Sequence, residues 1–134
     1  MEPDTTLPDT ESGPDDQERL SQKFQRELNA GLVGLVLLAV LEQAEEDLYG
    51  YQIAKRLQDR ANGHAPVKQG ALYQVLRQLS ANGLLASRIV PSYAGPPRRY
   101  YRITEAGRGT LAEWRSIWRN TRDFVDGFTE SNGA

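Results

Sequence analysis

The sequence predicts an α+β fold, mainly α: a winged helix-turn-helix with an N-terminal helix and a long C-terminal dimerisation helix. Three observations predict it. Residues 98–107, from Arg98 to Gly107, hold three arginines and two tyrosines on an alternating run that stops at a helix-start signal, Thr104. Before that run come a helical segment ending in Asn82-Gly83, a strand-like segment from Leu84 to Val90, and a tip rich in Pro and Gly. Helical periodicity also recurs upstream, in two further segments. That order sets a cationic hairpin beside the helix that would enter a DNA groove.

The first helix is expected from Phe24 to Gln43. Phe24, Leu28, Leu32, Leu35, Leu38 and Leu41 recur at helical spacing. Val33, Val36, Leu37 and Val40 fill the other face, so this helix is expected to bury more than one side. The second helix is expected from Tyr49 to Ala61, with Ile53, Ala54 and Leu57 inward and Asn62-Gly63 as its stop. His64 then falls in a loop. The third helix is expected from Gln69 to Ala81, with Leu72, Val75, Leu76 and Leu79 inward. Its start is weak, because Lys68 stands where Ser, Thr, Asn or Asp caps best.

Leu84 to Val90 and Arg99 to Ile103 read as strands, and Pro91 to Pro97 as an unpaired loop between them. Thr104 is a good N-cap for a last helix reaching Phe128. On it Leu111, Trp114, Trp118, Thr121, Val125 and Phe128 follow steps of three and four, a heptad-like seam. The expected organisation is a disordered acidic tail over residues 1–20, a winged helix-turn-helix over 21–103, and a dimerisation helix with a short tail over 104–134.

Composition limits the function. At 134 residues and 39% hydrophobic, the chain supports one small domain that gains from dimerisation. It has no cysteine, hence no disulfide framework and no thiolate metal site, in keeping with a reducing cytoplasm. The longest apolar run, Gly31 to Leu41, has 11 residues. A spanning helix needs about 20, so no membrane crossing is expected. The first 20 residues carry seven acids and only Arg19 as counter-charge, unlike a secretory leader.

The formal net charge of −2 conceals a segregation. Residues 48–122 hold thirteen Lys and Arg against three acids (Asp59, Glu105 and Glu113), a local net of +10. The local field is what meets phosphate, so this pattern points to nucleic acid.

The face of the third helix left over after packing presents Lys68, Gln69, Tyr73, Gln74, Arg77 and Gln78. Gln can pair with adenine, Arg and Lys with guanine, and Tyr with phosphate oxygen. The bland alternative is a solvated helix face. Arg98, Arg99 and Arg102 form the wing cluster, for minor groove or phosphate. Their alternative is the charge that edge strands carry against aggregation. Strand alternation puts Tyr100 and Arg102 on one face and Tyr101 and Ile103 on the core side.

Trp114 and Trp118, four apart on the last helix, read either as dimer core or as an aromatic wall for a planar ligand. The dimer residues expected are Leu32, Leu35, Leu111, Trp118, Val125 and Phe128. One His without clustered acids argues against a metal. Glu45-Glu46-Asp47 reads as a solvated turn. There is no nucleophile–base pairing and no phosphate loop, so neither an enzyme nor a cofactor is expected.

From about Glu27 to Phe128 the chain resembles the PadR family of transcriptional regulators, most closely its short subfamily with a single C-terminal helix. Three motifs carry the resemblance: Leu48-Tyr49-Gly50-Tyr51-Gln52-Ile53; Ala71 to Leu79 followed by Asn82-Gly83-Leu84-Leu85; and Arg98 to Gly107. The resemblance implies a homodimer through the first and last helices, bound to a pseudo-palindromic operator, usually as a repressor. It implies a phosphate contact for Tyr73. It also implies a stacking position for flat effectors at Trp118. Two departures stand out: a stiffer tip, Gly95-Pro96-Pro97-Arg98, where Gly-Gly-Arg is common, and Lys68 in place of a hydroxyl or amide cap. The rival readings are a winged-helix interaction module without DNA binding, and a small-molecule sensor.

Overall fold

The computed structural model describes residues 13–60 and 68–130. Among them are four helices and three strands in the order α1 (Pro14–Gln43), β1 (Leu48–Tyr49), α2 (Gly50–Asp59), α3 (Gln69–Ala81), β2 (Leu85–Ser92), β3 (Gly95–Ile103) and α4 (Glu105–Thr129). The chain divides into two compact units, one through Leu32 and one from Val33 onward.

In the first unit the helix starts at Pro14, ahead of the expected Phe24. Residues 14–20 are therefore helical rather than disordered, and residues 1–12 of the expected tail lie outside the described residues. The early start has local causes. Pro14 lacks the N–H that a first turn would leave unpaired, and its φ suits a helix. Asp15 and Asp16 lie in the first turn, where carboxylates meet the positive end of the helix dipole. The amides of Asp16 and Gln17 donate to the Gly13 carbonyl at 3.1 and 3.2 Å. Lys23 and Glu27 pair at 3.2 Å one turn apart.

From Val33 onward, α1 buries Val33, Leu37, Leu38 and Leu41. By length and composition α1 is long and apolar enough to cross a membrane, against the expectation from its 11-residue unbroken run. The run was too strict a measure, because isolated polar residues do not break a spanning window. Those four side chains are, however, part of the core formed by the second unit, with Leu48, Ile53, Leu72, Leu76, Leu79 and Leu85. Leu111 of α4 is 0% exposed in that same core. It leaves no surface for a partner chain, which removes it from the expected dimer residues.

α2 begins one residue later than expected, because Leu48 and Tyr49 form a short strand. The Tyr49 amide donates to Gln52 Oε1 at 3.0 Å, which closes the helix start from the side-chain end. The expected stop at Asn62-Gly63 and the loop with His64 lie outside the described residues. α3 has the bounds the sequence predicts, and Lys68 at its N-cap makes no side-chain capping bond.

The sheet is antiparallel, in the order β1–β3–β2. Leu48 pairs with Tyr101 and Tyr49 with Tyr100. Leu85 pairs with Ile103, and the ladder runs to Val90 opposite Arg98, then resumes at Ser92 opposite Gly95. The hairpin is thus longer than expected, and only Tyr93 and Ala94 remain as its turn. Proline is expected to exclude strand, but each of these prolines sits where no ladder bond is lost. Pro91 occupies the irregularity between Val90 and Ser92. Pro96 and Pro97 lie beyond the end of β1, where β3 is an edge strand on that side.

One corner ties α3, β2 and α4 together. Gly83 has φ +78°, the left-handed conformation that lets α3 end. The Gly83 amide donates to the Ser80 carbonyl and the Leu84 amide to the Leu79 carbonyl, at 3.0 and 2.9 Å. Thr104 locks onto this turn. Its amide donates to the Leu84 carbonyl at 3.1 Å, and its hydroxyl donates to the Gly83 carbonyl at 2.7 Å. The same hydroxyl accepts from the Gly107 amide at 3.0 Å, the N-cap of α4.

Candidate nucleic-acid interface

α3 turns Leu72, Leu76 and Leu79 into the core. That leaves Lys68, Gln69, Gln74, Arg77 and Gln78 exposed on the opposite side. Gly70 and Ala71 near the helix start are also exposed, so the first turn presents little bulk. Tyr73 is different: it is half-buried and packs against the core. Its ring lies over Gly50, and a Cβ on Gly50 would overlap the ring and the hydroxyl oxygen. Gly50 is therefore the seat of Tyr73, and it fixes that phenol beside the N-terminus of α2.

β3 alternates as the sequence predicts. Tyr101 and Ile103 are buried, while Arg102 is exposed and Tyr100 half-buried on the other face. Tyr101 is only 5% exposed. Burial pushes its phenol above the ordinary value of 10.0, and the positive charges of Arg99 and Arg77 pull it back. The hydroxyl of Tyr73 also acts on it. Tyr73 and Arg77 from α3 and Arg99 from β3 are thus the groups whose fields reach Tyr101. Arg99 is held by a 3.0 Å bond from Nη1 to the Ser87 hydroxyl, across the hairpin.

The raised Tyr101 phenol has a consequence for stability. Above pH 10.0 the unfolded chain ionises this group first, so it binds fewer protons than the folded chain. Stability conferred by the neutral phenol is complete below that pH and falls as pH rises toward the folded value. Urea titrations at increasing alkaline pH should show the fall, and Tyr101→Phe should flatten it. Parallel profiles for the two proteins would assign the titration elsewhere.

The three wing arginines do not share a face. Arg99 lies with Tyr101 on the side of α3. Arg98 and Arg102 lie with Tyr100 on the outer face. There the Arg98 Cζ stands 4.5 Å from the Tyr49 ring centroid. Tyr49 meets Tyr100 edge-on at 5.3 Å. Arg88 lies over Tyr100 at 5.3 Å and pairs with Asp47 at 3.0 Å. Arg102 lines a shallow hollow of about 180 Å³ with Asp47, Arg88 and Tyr100.

Tyr49, Gly50 and Arg88 belong to this constellation, yet residue-by-residue reading of the sequence did not pick them out. The signal available was the Leu48-Tyr49-Gly50-Tyr51 motif itself, where a glycine at a helix start asks what sits against it.

On α4, Trp114 is half-buried against the core, and a Cβ on Gly34 would come to 3.3 Å from its Cζ3. Trp118 is half-buried, whereas Val125 and Phe128 are exposed. Leu35 is partly buried against the core, and Leu32 is half-buried. Among the described residues no group of three His, Cys, Asp or Glu could hold a metal ion.

A helix with an exposed polar and basic face, set beside a two-stranded basic hairpin, defines a winged helix-turn-helix protein. A family model described as the transcriptional regulator PadR-like family matches residues 37–113. The chain belongs to that family. It is 33% identical over 93 residues to a transcriptional regulator of Mycobacterium tuberculosis, covering 67% of this chain and 81% of that protein. It is 30% identical over 99 residues to an uncharacterized protein of Lysinibacillus sphaericus, covering 74% of this chain and 88% of the other. The fold is similar to the crystal structure of a PadR family transcriptional regulator from Eggerthella lenta, with TM-score 0.71 and 32% identity over 87% of this chain and 97% of that one. A transcriptional regulator from Clostridium thermocellum gives 0.70 and 27%, over 78% and 99%.

Proposed function

We propose that this chain is a sequence-specific DNA-binding repressor that acts as a homodimer on a pseudo-palindromic operator in the cytoplasm. The observation that carries the reading is the exposed polar and basic face of α3, with Lys68, Gln69, Gln74, Arg77 and Gln78, beside the basic β2–β3 hairpin. α3 enters the major groove, where Gln69, Gln74 and Arg77 face base edges and Lys68 faces the backbone. Tyr73, seated on Gly50, meets a phosphate at the N-terminus of α2, where unpaired amides favour an anion. Arg98, Arg99 and Arg102 supply wing contacts. Three of the four relatives reported above are described as transcriptional regulators, and the reading is of a binding protein rather than an enzyme.

Dimerisation is supported by the apolar surface of α4. Ile117, Phe124, Val125 and Phe128 are exposed there, Phe128 at 77%. A helix of one chain does not ordinarily leave such a row in water. A two-fold axis through α4 sets two α3 helices about 34–36 Å apart, one turn of DNA. Trp118, half-buried on the same helix, offers an indole face for a small planar effector that would relieve repression.

The test is Arg77→Ala against operator DNA selected from random sequence. Affinity should fall by about 1–3 kcal/mol with specificity relaxed at one position per half-site, and binding should remain two protomers per site. Unchanged affinity and specificity would take α3 out of the groove.

A further inference from the structure

We propose that Tyr49 is a positioning residue for DNA binding: its ring holds the Arg98 guanidinium in place for a backbone phosphate before DNA arrives. The inference rests on the DNA-binding reading above and goes beyond it, because Tyr49 itself need not touch DNA.

The argument begins with register. Tyr49 pairs with Tyr100 across β1 and β3, so Arg98 is its diagonal neighbour on the same face. The guanidinium lies over the ring at 4.5 Å, well inside the range of a cation–π contact. Among the described residues no carboxylate pairs with Arg98, so the ring is the contact that orders it. The ring is itself held: edge-on against Tyr100, which carries Arg88, which pairs with Asp47. Tyr49 has little freedom at the backbone either, since its amide donates to Gln52 Oε1.

Stacking uses the face of a guanidinium and leaves its N–H edge open. Arg98 therefore keeps donors for a phosphate while its rotamers are already restricted. An exposed arginine without such a platform would lose that freedom only on binding, at the expense of affinity. The location fits the purpose. Tyr49 immediately precedes α2, whose N-terminus is where Tyr73 lies over Gly50. The platform thus places the wing cation near the end of α2 that faces the DNA backbone in this reading, although Arg98 is on the opposite face of β3 from Arg99.

A phosphate contact is blind to sequence, so a mixed-sequence duplex serves as the probe. Tyr49→Leu should weaken binding about three- to tenfold, while Tyr49→Phe, which keeps the ring, should bind as the native protein does. The loss should vanish when Tyr49→Leu is made on top of Arg98→Ala. A purely structural role for Tyr49 would persist in that background and overturn the proposal. So would native affinity in Tyr49→Leu.

A second measurement needs no variant. The Arg98 side-chain methylene protons should show an upfield ring-current shift in the free protein, and should keep it when the duplex is added. Absence of that shift, or its loss on binding, overturns the platform. If the native protein binds no duplex even at low salt, the DNA reading itself falls and takes the positioning role with it. If it binds and only the Tyr49 results fail, the DNA reading stands alone.

Discussion

Gly107→Ala is expected to lower stability by about 2–3 kcal/mol. A Cβ at Gly107 would overlap the Leu84 carbonyl oxygen and crowd Ile103 Cγ1. Neither can yield easily. The Leu84 carbonyl accepts from the Thr104 amide, and the Leu84 amide is tied to Leu79. Ile103 is buried in the core. The first turn of α4 would have to lift instead, and the Thr104 hydroxyl would lose its bond from the Gly107 amide.

Crowding of this kind costs roughly 1–3 kcal/mol and loss of a cap about 1. The better helix propensity of Ala returns up to about 1. Gly109, two residues further along the same helix, has nothing within 4 Å of its would-be Cβ. Gly109→Ala should therefore be neutral or slightly stabilising. Thermal melts of the two variants side by side make the measurement. A Gly107→Ala protein melting with Gly109→Ala would show that the corner is not rigid.

That corner also shows what a sequence displays and what it hides. Asn82-Gly83 and Thr104 were legible as a stop and a start, because a left-handed residue and a hydroxyl cap act within a few residues of chain. That Thr104 caps α4 and also bonds back to Gly83 is a contact across 21 residues, and no local pattern encodes it. α3 was legible to the residue because its apolar period and its terminal Gly agree. β1 was not: a two-residue strand has no period, and Leu48-Tyr49 reads equally well as a helix start. The tip prolines misled because proline excludes a ladder bond, not a strand, and here the bonds it would remove were never due.

The site was legible in kind more than in arrangement. Sequence showed that Arg98, Arg99 and Arg102 were basic and near a hairpin tip. Alternation already separates Arg99 from the other two, but what each face meets depends on β1 arriving beside β3. The result is two environments for one run of charge: Arg99 with Ser87 and the α3 side, Arg98 with the Tyr49 ring. Tyr73 was legible as a polar aromatic on an exposed helix. Its half-burial over Gly50 was not, because the two lie on different helices.

Operator affinity is expected to fall on the order of 10³-fold between about 50 and 200 mM salt. Bulk charge argues the other way, since the chain carries a formal −2 and would be repelled by DNA. The decisive quantity is the field at the binding face. Lys68 is exposed at the N-cap of α3, Arg77 on α3, and Arg98, Arg99 and Arg102 on β3, and among the described residues none of the five is in an ion pair with an acid. A carboxylate already paired to a cation would have to be displaced before a phosphate could bind; here only a ring and a hydroxyl hold Arg98 and Arg99. Each phosphate neutralised releases condensed counterions and adds about 0.9 to the salt slope. Six such contacts over a dimer give roughly the thousandfold loss for a fourfold rise in salt. Arg98→Ala should remove one contact per protomer and lower the slope by nearly two for the dimer. Arg77→Ala should change specificity more than slope if its guanidinium reads a base edge. Fluorescence anisotropy titrations across the salt series, for the native protein and both variants, measure all three quantities. A flat salt response in the native protein would mean that the clustered cations do not meet phosphate, and the proposed function would fall with it.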